Sequence, residues 1–189
     1  MREIIRGYID ELKSALDSLP IDKIEEAVEM IWGTYESGGT IFVAGNGGSA
    51  STSSHFACDL GKGTAREGRR RLKVLSLSDN IALITAWAND TSYENIFYQQ
   101  LVNLMEPGDL LIAISASGNS PNVLKAAEYA KSIGCKVIGL TGFGGGKLAD
   151  MADLSIVVAS YNYGPVEDVH LVLDHIFARC IRAKFSSPH

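Results

Sequence analysis

Five short and continuously apolar segments between residues 40 and 159 constrain the fold of this chain more than any other feature. The segments are TIFVA (40–44), RLKVLSL (71–77), GDLLIAIS (108–115), CKVIGLT (135–141) and DLSIVVA (153–159). Such segments suit strands that are buried on both faces of a parallel sheet. Helical patterns alternate with them, so the sequence predicts an α/β fold with a doubly wound parallel five-stranded sheet and right-handed crossovers.

Helical spacing of apolar residues marks the rest of the chain. Between the strands it predicts helices over 49–60, 80–88, 93–104 and 120–133, followed by a long final helix over 164–185. Two amphipathic helices occupy residues 1–38 and precede the first strand. We expect a single domain over residues 1–189, with this N-terminal extension used in oligomerisation; packing on its own domain is the alternative. The terminal SSPH (186–189) is expected to fray.

Composition and charge exclude several classes of protein. The net charge of −5 disfavours nucleic acid as a partner, although REGRRRLK (66–73) forms a basic run that is either a solvated loop or a phosphate-facing one. Three scattered cysteines without CxxC spacing argue against a disulfide framework or a cysteine zinc site. The charged N-terminus is unlike a signal peptide, and no apolar run reaches the ~18 residues that span a bilayer. We therefore expect a soluble, cytoplasmic protein.

A glycine-rich turn, GNGGSAS (45–51), follows the first strand. Its glycines allow a ligand to approach the backbone, and the helix that follows offers free N–H groups to an anion. The turn also fits a loose GxGxxA dinucleotide pattern, but the acidic residue expected about 20 positions later is missing, since Asp79 lies farther on. The chain has no GxxxxGK[ST] sequence, so a nucleotide-binding P-loop is excluded.

A second candidate anion site follows the third strand. Ser115, Ser117 and Ser120 surround Gly118 directly before a helix, an arrangement that suits a phosphate monoester held by hydroxyls and backbone N–H groups. An ordinary serine N-cap is the alternative. Two other loops leave alternatives open. Asn89-Asp90 is a common turn pair, so local structure alone explains it as well as function does. The glycines of GFGGGK (142–147) either bind an anion or form a flexible turn into a short helix.

Imidazoles and carboxylates recur on two of the predicted helices. His55 and Asp59 are four residues apart and share a helix face, and Glu167 and His175 lie in one i, i+8 row on the last helix. If the four meet, they could hold zinc or a similar divalent ion, or act as an acid–base pair without metal. His170 with Asp174 is an equally good local pair, and surface salt bridges remain an alternative.

Together, GNGGS…HFACDL, AND, ISASGNSPNV and VEDVHLVLDH resemble the phosphoheptose isomerases of the sugar-isomerase (SIS) domain superfamily. The resemblance spans nearly the whole chain and implies a flavodoxin-like sheet, a homotetramer with active sites between subunits, and one Zn²⁺ or another divalent metal per subunit. It places the zinc ligands on His55, Asp59, Glu167 and His175. Asp59 and His175 also take the positions of the family's catalytic acid–base pair.

The resemblance further implies where the substrate binds. The phosphate loop falls on Ser115, Ala116, Ser117 and Ser120. The sugar-contacting residues fall on Asn46, Gly47, Gly48, Ser49, Asn89 and Asp90, together with Asp59 and Glu167. The implied reaction is the isomerisation of sedoheptulose 7-phosphate to D-glycero-D-manno-heptose 7-phosphate through a metal-assisted enediol. The alternatives are isomerisation of a different phosphosugar and a non-catalytic SIS protein, either a sugar-phosphate sensor or a replication-initiation partner.

The chain departs from the family pattern at four places. Asp59 stands where the family usually has Glu, Glu167 where it has Gln, and Ala116 where it has Thr. The stretch YNYGPVEDVH (161–170) also lacks the usual ADRIQE run. These changes bear on the substrate more than on the reaction. The added carboxylate at 167 predicts tighter binding of a divalent metal.

Overall fold

The computed structural model describes residues 1–186. Of the end SSPH (186–189) that was predicted to fray, Ser186 is the last residue of a helix, and residues 187–189 lie outside the described residues. The predicted α/β fold is confirmed. Five parallel strands are hydrogen-bonded in the order β2-β1-β3-β4-β5. They are β1 Thr40–Gly45, β2 Lys73–Ser76, β3 Leu110–Ser115, β4 Lys136–Thr141 and β5 Leu154–Val157. This 2-1-3-4-5 order is that of flavodoxin-like sheets.

Eight α-helices surround the sheet in the described chain. They are α1 Arg2–Asp17, α2 Ile21–Ser37, α3 Gly48–Cys58, α4 Ile81–Asp90, α5 Tyr98–Leu104, α6 Pro121–Ser132, α7 Gly146–Met151 and α8 Tyr163–Ser186. A π-helical segment, Asp59–Gly63, continues α3, and a 3₁₀ turn, Tyr93–Asn95, precedes α5. The sequence predicted one helix through Leu60, and it did not predict the change of pitch at Asp59.

The central strands β1, β3 and β4 are almost entirely apolar and buried because both faces of the sheet are covered there, whereas Lys73 and Leu75 of the edge strand β2 are exposed. In β3, Leu110, Ile112 and Ile114 face a core layer that also contains side chains of α2, α3 and α8. Leu111 and Ala113 face the opposite layer, which is formed with α5 and α6. Burial on both faces removes the polar alternation of a half-exposed strand. No helix of the described residues is long and apolar enough to span a membrane.

The N-terminal helix α1 covers its own domain only in part. Leu12 and Leu16 near its C-terminal end pack against the core. Tyr8 donates a hydrogen bond of 2.5 Å to Asp168 on α8, and this bond raises the pKa of the Tyr8 phenol to about 12. The other large apolar residues of the helix, Met1, Ile4, Ile5 and Ile9, are exposed.

Candidate active site

The candidate site lies at the carboxyl ends of β1 and β3, which are neighbours in the sheet. The chain leaves β1 through α3 toward β2 and leaves β3 through α6 toward β4, on opposite sides. Such a reversal opens a crevice in which doubly wound proteins bind ligands. The glycine turn that begins at Asn46 borders one side of this crevice, and the serine loop that begins at Ser115 borders the other.

A pocket of about 140 Å³ lies between the two loops. Its lining residues are Asn46, Ser49, Ile114, Ser115, Ala116, Ser117, Ser120, Tyr163 and Glu167. Six of these belong to the substrate-contacting residues that the sequence implied for the two loops, and Glu167 joins them from α8. The sequence did not single out Tyr163.

The hydroxyls of the serine loop point at one another at the start of α6. The Oγ atoms of Ser115 and Ser120 are 3.1 Å apart, and Ser115 is almost completely buried. Ser120 occupies the N-cap position, but its side chain makes no capping hydrogen bond to the helix. The alternative of an ordinary serine N-cap is therefore not met, and the loop presents a pair of hydroxyls at the start of a helix.

The triglycine stretch Gly144–Gly146 packs against the serine loop. Gly118 has a φ of 65°, and a Cβ atom there would overlap the carbonyl oxygen of Gly145. Leu148 N–H donates to the Gly118 carbonyl at 2.9 Å. The sequence predicted a turn and a short helix here, and α7 begins at Gly146. The structure adds that no Cβ atom fits at Gly118 or Gly146, because the two loops meet there.

Asn46 is fixed by two neighbours. It exchanges a pair of side-chain hydrogen bonds with the buried Asn122 of α6, both 2.8 Å long. Its Oδ1 atom also accepts a hydrogen bond of 3.0 Å from the Tyr93 hydroxyl. These contacts hold the end of β1 against the start of α6. The turn that follows includes Gly48, where a Cβ atom would overlap the carboxylate of Glu167.

Asn89 and Asp90 lie away from this pocket in the single chain. The sequence placed them in a turn, but α4 continues through Asp90. Both side chains are exposed, and Asn89 Nδ2 donates to Asp90 Oδ1 at 2.9 Å. Their assignment to the sugar-contacting residues stays a prediction.

Two histidines and two aspartates converge where α3 approaches α8. They are His55, Asp59, Asp174 and His175, and one ligand atom from each lies within 4.8 Å of all the others. The two Nε2 atoms of His55 and His175 are 3.3 Å apart. Asp59 Oδ2 is 3.7 Å from the first and 3.8 Å from the second. Asp59 begins the π-helical segment, a feature found frequently at functional sites.

Asp174 is the buried member of this cluster. Its side chain is fully inaccessible, and Asp174 Oδ2 lies 3.9 Å from His55 Nε2. Neither carboxylate oxygen has a hydrogen-bond partner in the described chain. Burial, together with the negative charge of Asp59, raises the pKa of Asp174 to about 7. The donor set of two imidazoles and two carboxylates fits a divalent cation.

The structure separates residues that the sequence grouped together. Glu167 lies in the serine pocket rather than in the histidine cluster, whose fourth member is Asp174. The local pair of His170 with Asp174 does not form. Instead, His170 is buried with Nε2 at 3.3 Å from the Thr141 carbonyl oxygen, and burial lowers its pKa to about 4. One signal for Asp174 was available, because it interrupts the apolar stripe of the last helix.

Comparisons with known proteins identify the family. The SIS domain family matches residues 7–142. The phosphoheptose isomerase of Helicobacter pylori (strain P12) is 40% identical over 180 residues, which cover 95% of this chain and 93% of the relative. That of Aliarcobacter butzleri (strain RM4018) is 38% identical over 165 residues, 87% of each chain. The solved phosphoheptose isomerase of Neisseria gonorrhoeae matches with a TM-score of 0.89 and 29% identity, over 96% of this chain and 98% of that one.

The chain belongs to the phosphoheptose isomerase family. It is an enzyme, a sugar-phosphate isomerase on an SIS domain.

Most of the positions at which this phosphoheptose isomerase homologue departs from the pattern expected for the family border the pocket. Ala116 and Glu167 both line it. Tyr163 comes from the divergent stretch before α8, and its ring lies 4.6 Å from that of Phe143, centroid to centroid. Asp59 lies in the histidine cluster. The pocket of this family member therefore has a carboxylate and an aromatic ring at its edge.

Proposed function

We propose that the chain interconverts sedoheptulose 7-phosphate and D-glycero-D-manno-heptose 7-phosphate by aldose–ketose isomerisation. One observation carries the proposal: a hydroxyl-lined anion pocket and an imidazole–carboxylate cluster are joined by one rigid helix. Glu167 in the pocket and His175 in the cluster are two turns apart on α8, about 12 Å along its axis. This separation suits an extended sugar with its phosphate at one end and its carbonyl at the other.

The phosphate end is bound by neutral groups. The hydroxyls of Ser115, Ser117 and Ser120 donate to phosphate oxygens, and the N-terminus of α6 adds a favourable dipole. Asn46 and the backbone of Gly47 and Gly48 contact the sugar hydroxyls. Because Asn46 is fixed by Asn122, the open chain is bound by a group that is already oriented.

The reaction moves one proton between C1 and C2 and a second between their oxygens. Asp59 and His175 are the acid–base pair: one removes the carbon-bound proton to give an enediol, and the other transfers a proton between the two oxygens. Asp59 Oδ2 is 3.8 Å from His175 Nε2, which supports a shared role at neighbouring atoms of one substrate. The residues that would hold a divalent metal include His55, Asp59 and His175, and a bound metal would polarise the carbonyl and stabilise the enediolate charge.

The proposal includes a cytoplasmic homotetramer with active sites between subunits. The exposed apolar residues of α1 support association, since a contiguous apolar surface is typical of an interaction site. The three cysteines are unpaired, which fits a reducing compartment.

Turnover of sedoheptulose 7-phosphate by the unmodified chain tests the proposal, together with Asp59→Asn and His175→Ala. Each substitution is expected to abolish turnover and to leave inorganic phosphate binding measurable. Wild-type rates in both variants would overturn the assigned acid–base pair.

A second candidate is the same chemistry on another phosphosugar, favoured by Tyr163 and Glu167 at the pocket edge. A panel of C5–C8 ketose phosphates separates the two, because the preferred substrate has the highest kcat/KM. Solvent deuterium incorporation at C1 or C2 demonstrates catalysis even without net product. Its absence with every member of the panel would favour the non-catalytic sugar-phosphate sensor.

A further inference from the structure

The carboxylate of Asp174 has no hydrogen-bond partner within the described residues. It is fully buried, and neither oxygen has a hydrogen bond. A charged carboxylate that is buried without hydrogen bonds is strongly unfavourable unless it takes up a proton or a cation compensates it. The imidazoles and the carboxylate near it are His55, His175 and Asp59. Within the described residues its ion pair is with His55, and no lysine or arginine pairs with it, so an ion pair with a fixed cation does not account for its burial.

The two imidazoles beside it are arranged like metal ligands. Tetrahedral bonds of about 2.0–2.1 Å to zinc place two ligand nitrogens about 3.3–3.4 Å apart. The Nε2 atoms of His55 and His175 are 3.3 Å apart. Asp59 Oδ2 lies 3.7 and 3.8 Å from the two nitrogens, and Asp174 Oδ2 lies 3.9 Å from that of His55, a few tenths of an ångström beyond the same spacing. Ligand atoms of all four residues lie within 4.8 Å of one another.

We propose that His55, Asp59, Asp174 and His175 hold one divalent cation, and that Asp174 replaces Glu167 as the fourth protein ligand. Two imidazoles and two carboxylates give the ion a neutral site. Glu167, two helical turns away, is then free to accept hydrogen bonds from sugar hydroxyls in the serine pocket. The inference rests on the metal-assisted isomerase proposed above, but it is tested by metal binding without substrate.

Zinc titration of metal-stripped protein against a chromophoric chelator tests the assignment. Unmodified protein and Glu167→Gln are expected to bind one Zn²⁺ per chain with affinities within about threefold of each other. Asp174→Asn, which is nearly isosteric, is expected to bind at least tenfold more weakly; even an outer-shell partner costs about 10–100-fold. The visible spectrum of Co²⁺-loaded protein should change in Asp174→Asn and stay unchanged in Glu167→Gln, which separates a ligand from a merely structural residue.

A zinc-loaded crystal structure of the unmodified chain gives the same answer without any variant, in case Asp174→Asn fails to fold. The anomalous peak is expected about 2.0–2.2 Å from an Asp174 oxygen. A peak ligated by Glu167 in place of Asp174, or wild-type zinc affinity in a folded Asp174→Asn, would overturn the inference. Isomerase activity measured in parallel decides the proposed function independently, since the unmodified chain can isomerise phosphosugars with either ligand set.

Discussion

At the scale of single residues, Ser120 occupies the N-cap position of a helix without capping it. A serine at the N-cap usually bonds to the first turn of its helix. Here its hydroxyl lies 3.1 Å from that of Ser115 and makes no capping bond. Pro121 at the first position of the helix has no N–H, and the Val123 N–H already donates to the Ser120 carbonyl and to the Asn122 side chain. The uncommitted Ser120 hydroxyl and the helix dipole are therefore the features that suit an anion at this position.

Removing the hydroxyl tests this use. We expect Ser120→Ala to raise KM for the phosphosugar roughly 10- to 100-fold, the effect of losing one hydrogen bond to a charged group, while kcat changes little. Steady-state kinetics measure it. Ser132→Ala at the other end of α6 is the matched control, because within the described residues its hydroxyl bonds only to the Tyr129 carbonyl. Equal KM values in the two variants would contradict the phosphate role of Ser120.

His170 makes the folded state sensitive to acid. Burial lowers its pKa from an ordinary 6.5 to about 4, so the unfolded chain takes up a proton first as the pH falls. Stability is therefore fully present above pH 6.5 and is lost between pH 6.5 and 4, by up to about 3 kcal/mol. Chemical denaturation across this range measures the loss. His170→Gln should give a flatter acid limb, and an unchanged slope would contradict the assignment.

At the scale of elements, the serine loop depends on a partner that comes after the next strand. Gly118 and the triglycine stretch are in direct contact, so the shape of the phosphate site is set by two loops about 27 residues apart. Glycine is required at 118 both for its φ of 65° and for the lack of space.

The two requirements can be separated by substitution. Gly134 has a φ of 82° but no atom within 4 Å of a Cβ position, so Gly134→Ala should cost only the backbone strain, about 1–2 kcal/mol. Gly118→Ala adds a steric overlap with Gly145, and we expect a larger loss of unfolding free energy together with weakened phosphate binding. Urea denaturation and phosphate titration measure both. Equal losses in the two variants would show that the loops can move apart.

The elements themselves were largely predictable from the sequence. The five apolar runs became the five strands, since burial on both faces leaves an unmistakable composition. The π-helical segment at Asp59 could not be predicted, because a change from i+4 to i+5 bonding has no sequence signature at this site. The residues that surround Asp174 could not be predicted either. The sequence showed two helices with matching groups, but which turn of α8 meets α3 depends on packing.

At the scale of the whole molecule, α1 is an element that a single chain leaves partly uncovered. Its apolar side chains near the N-terminus are exposed, while its other end packs on the core. Contact with other copies of the chain would bury these side chains and fits the tetramer proposed above.

A charge placed on this surface should weaken assembly. We expect Ile4→Glu to shift the protein toward smaller species in sedimentation velocity, because association would bury the carboxylate. Lys13→Glu is the control on the same helix, about 180° away around its axis and exposed. Ile4→Glu with an unchanged sedimentation coefficient would exclude this surface from the interface.

The serine pocket has a consequence for ionic strength. Of its lining residues in the described chain, none is a lysine or an arginine, and Glu167 adds a carboxylate. Binding through hydroxyls and a helix N-terminus depends on short-range dipoles, whereas attraction between full charges is screened within about 8–10 Å at ordinary salt. KM for the phosphosugar should thus change little between low and high NaCl, unlike that of an enzyme that captures phosphate with an arginine. The pocket would then discriminate between anions by the shape and number of their acceptor oxygens. A carboxylate of equal charge should therefore compete poorly with the phosphosugar.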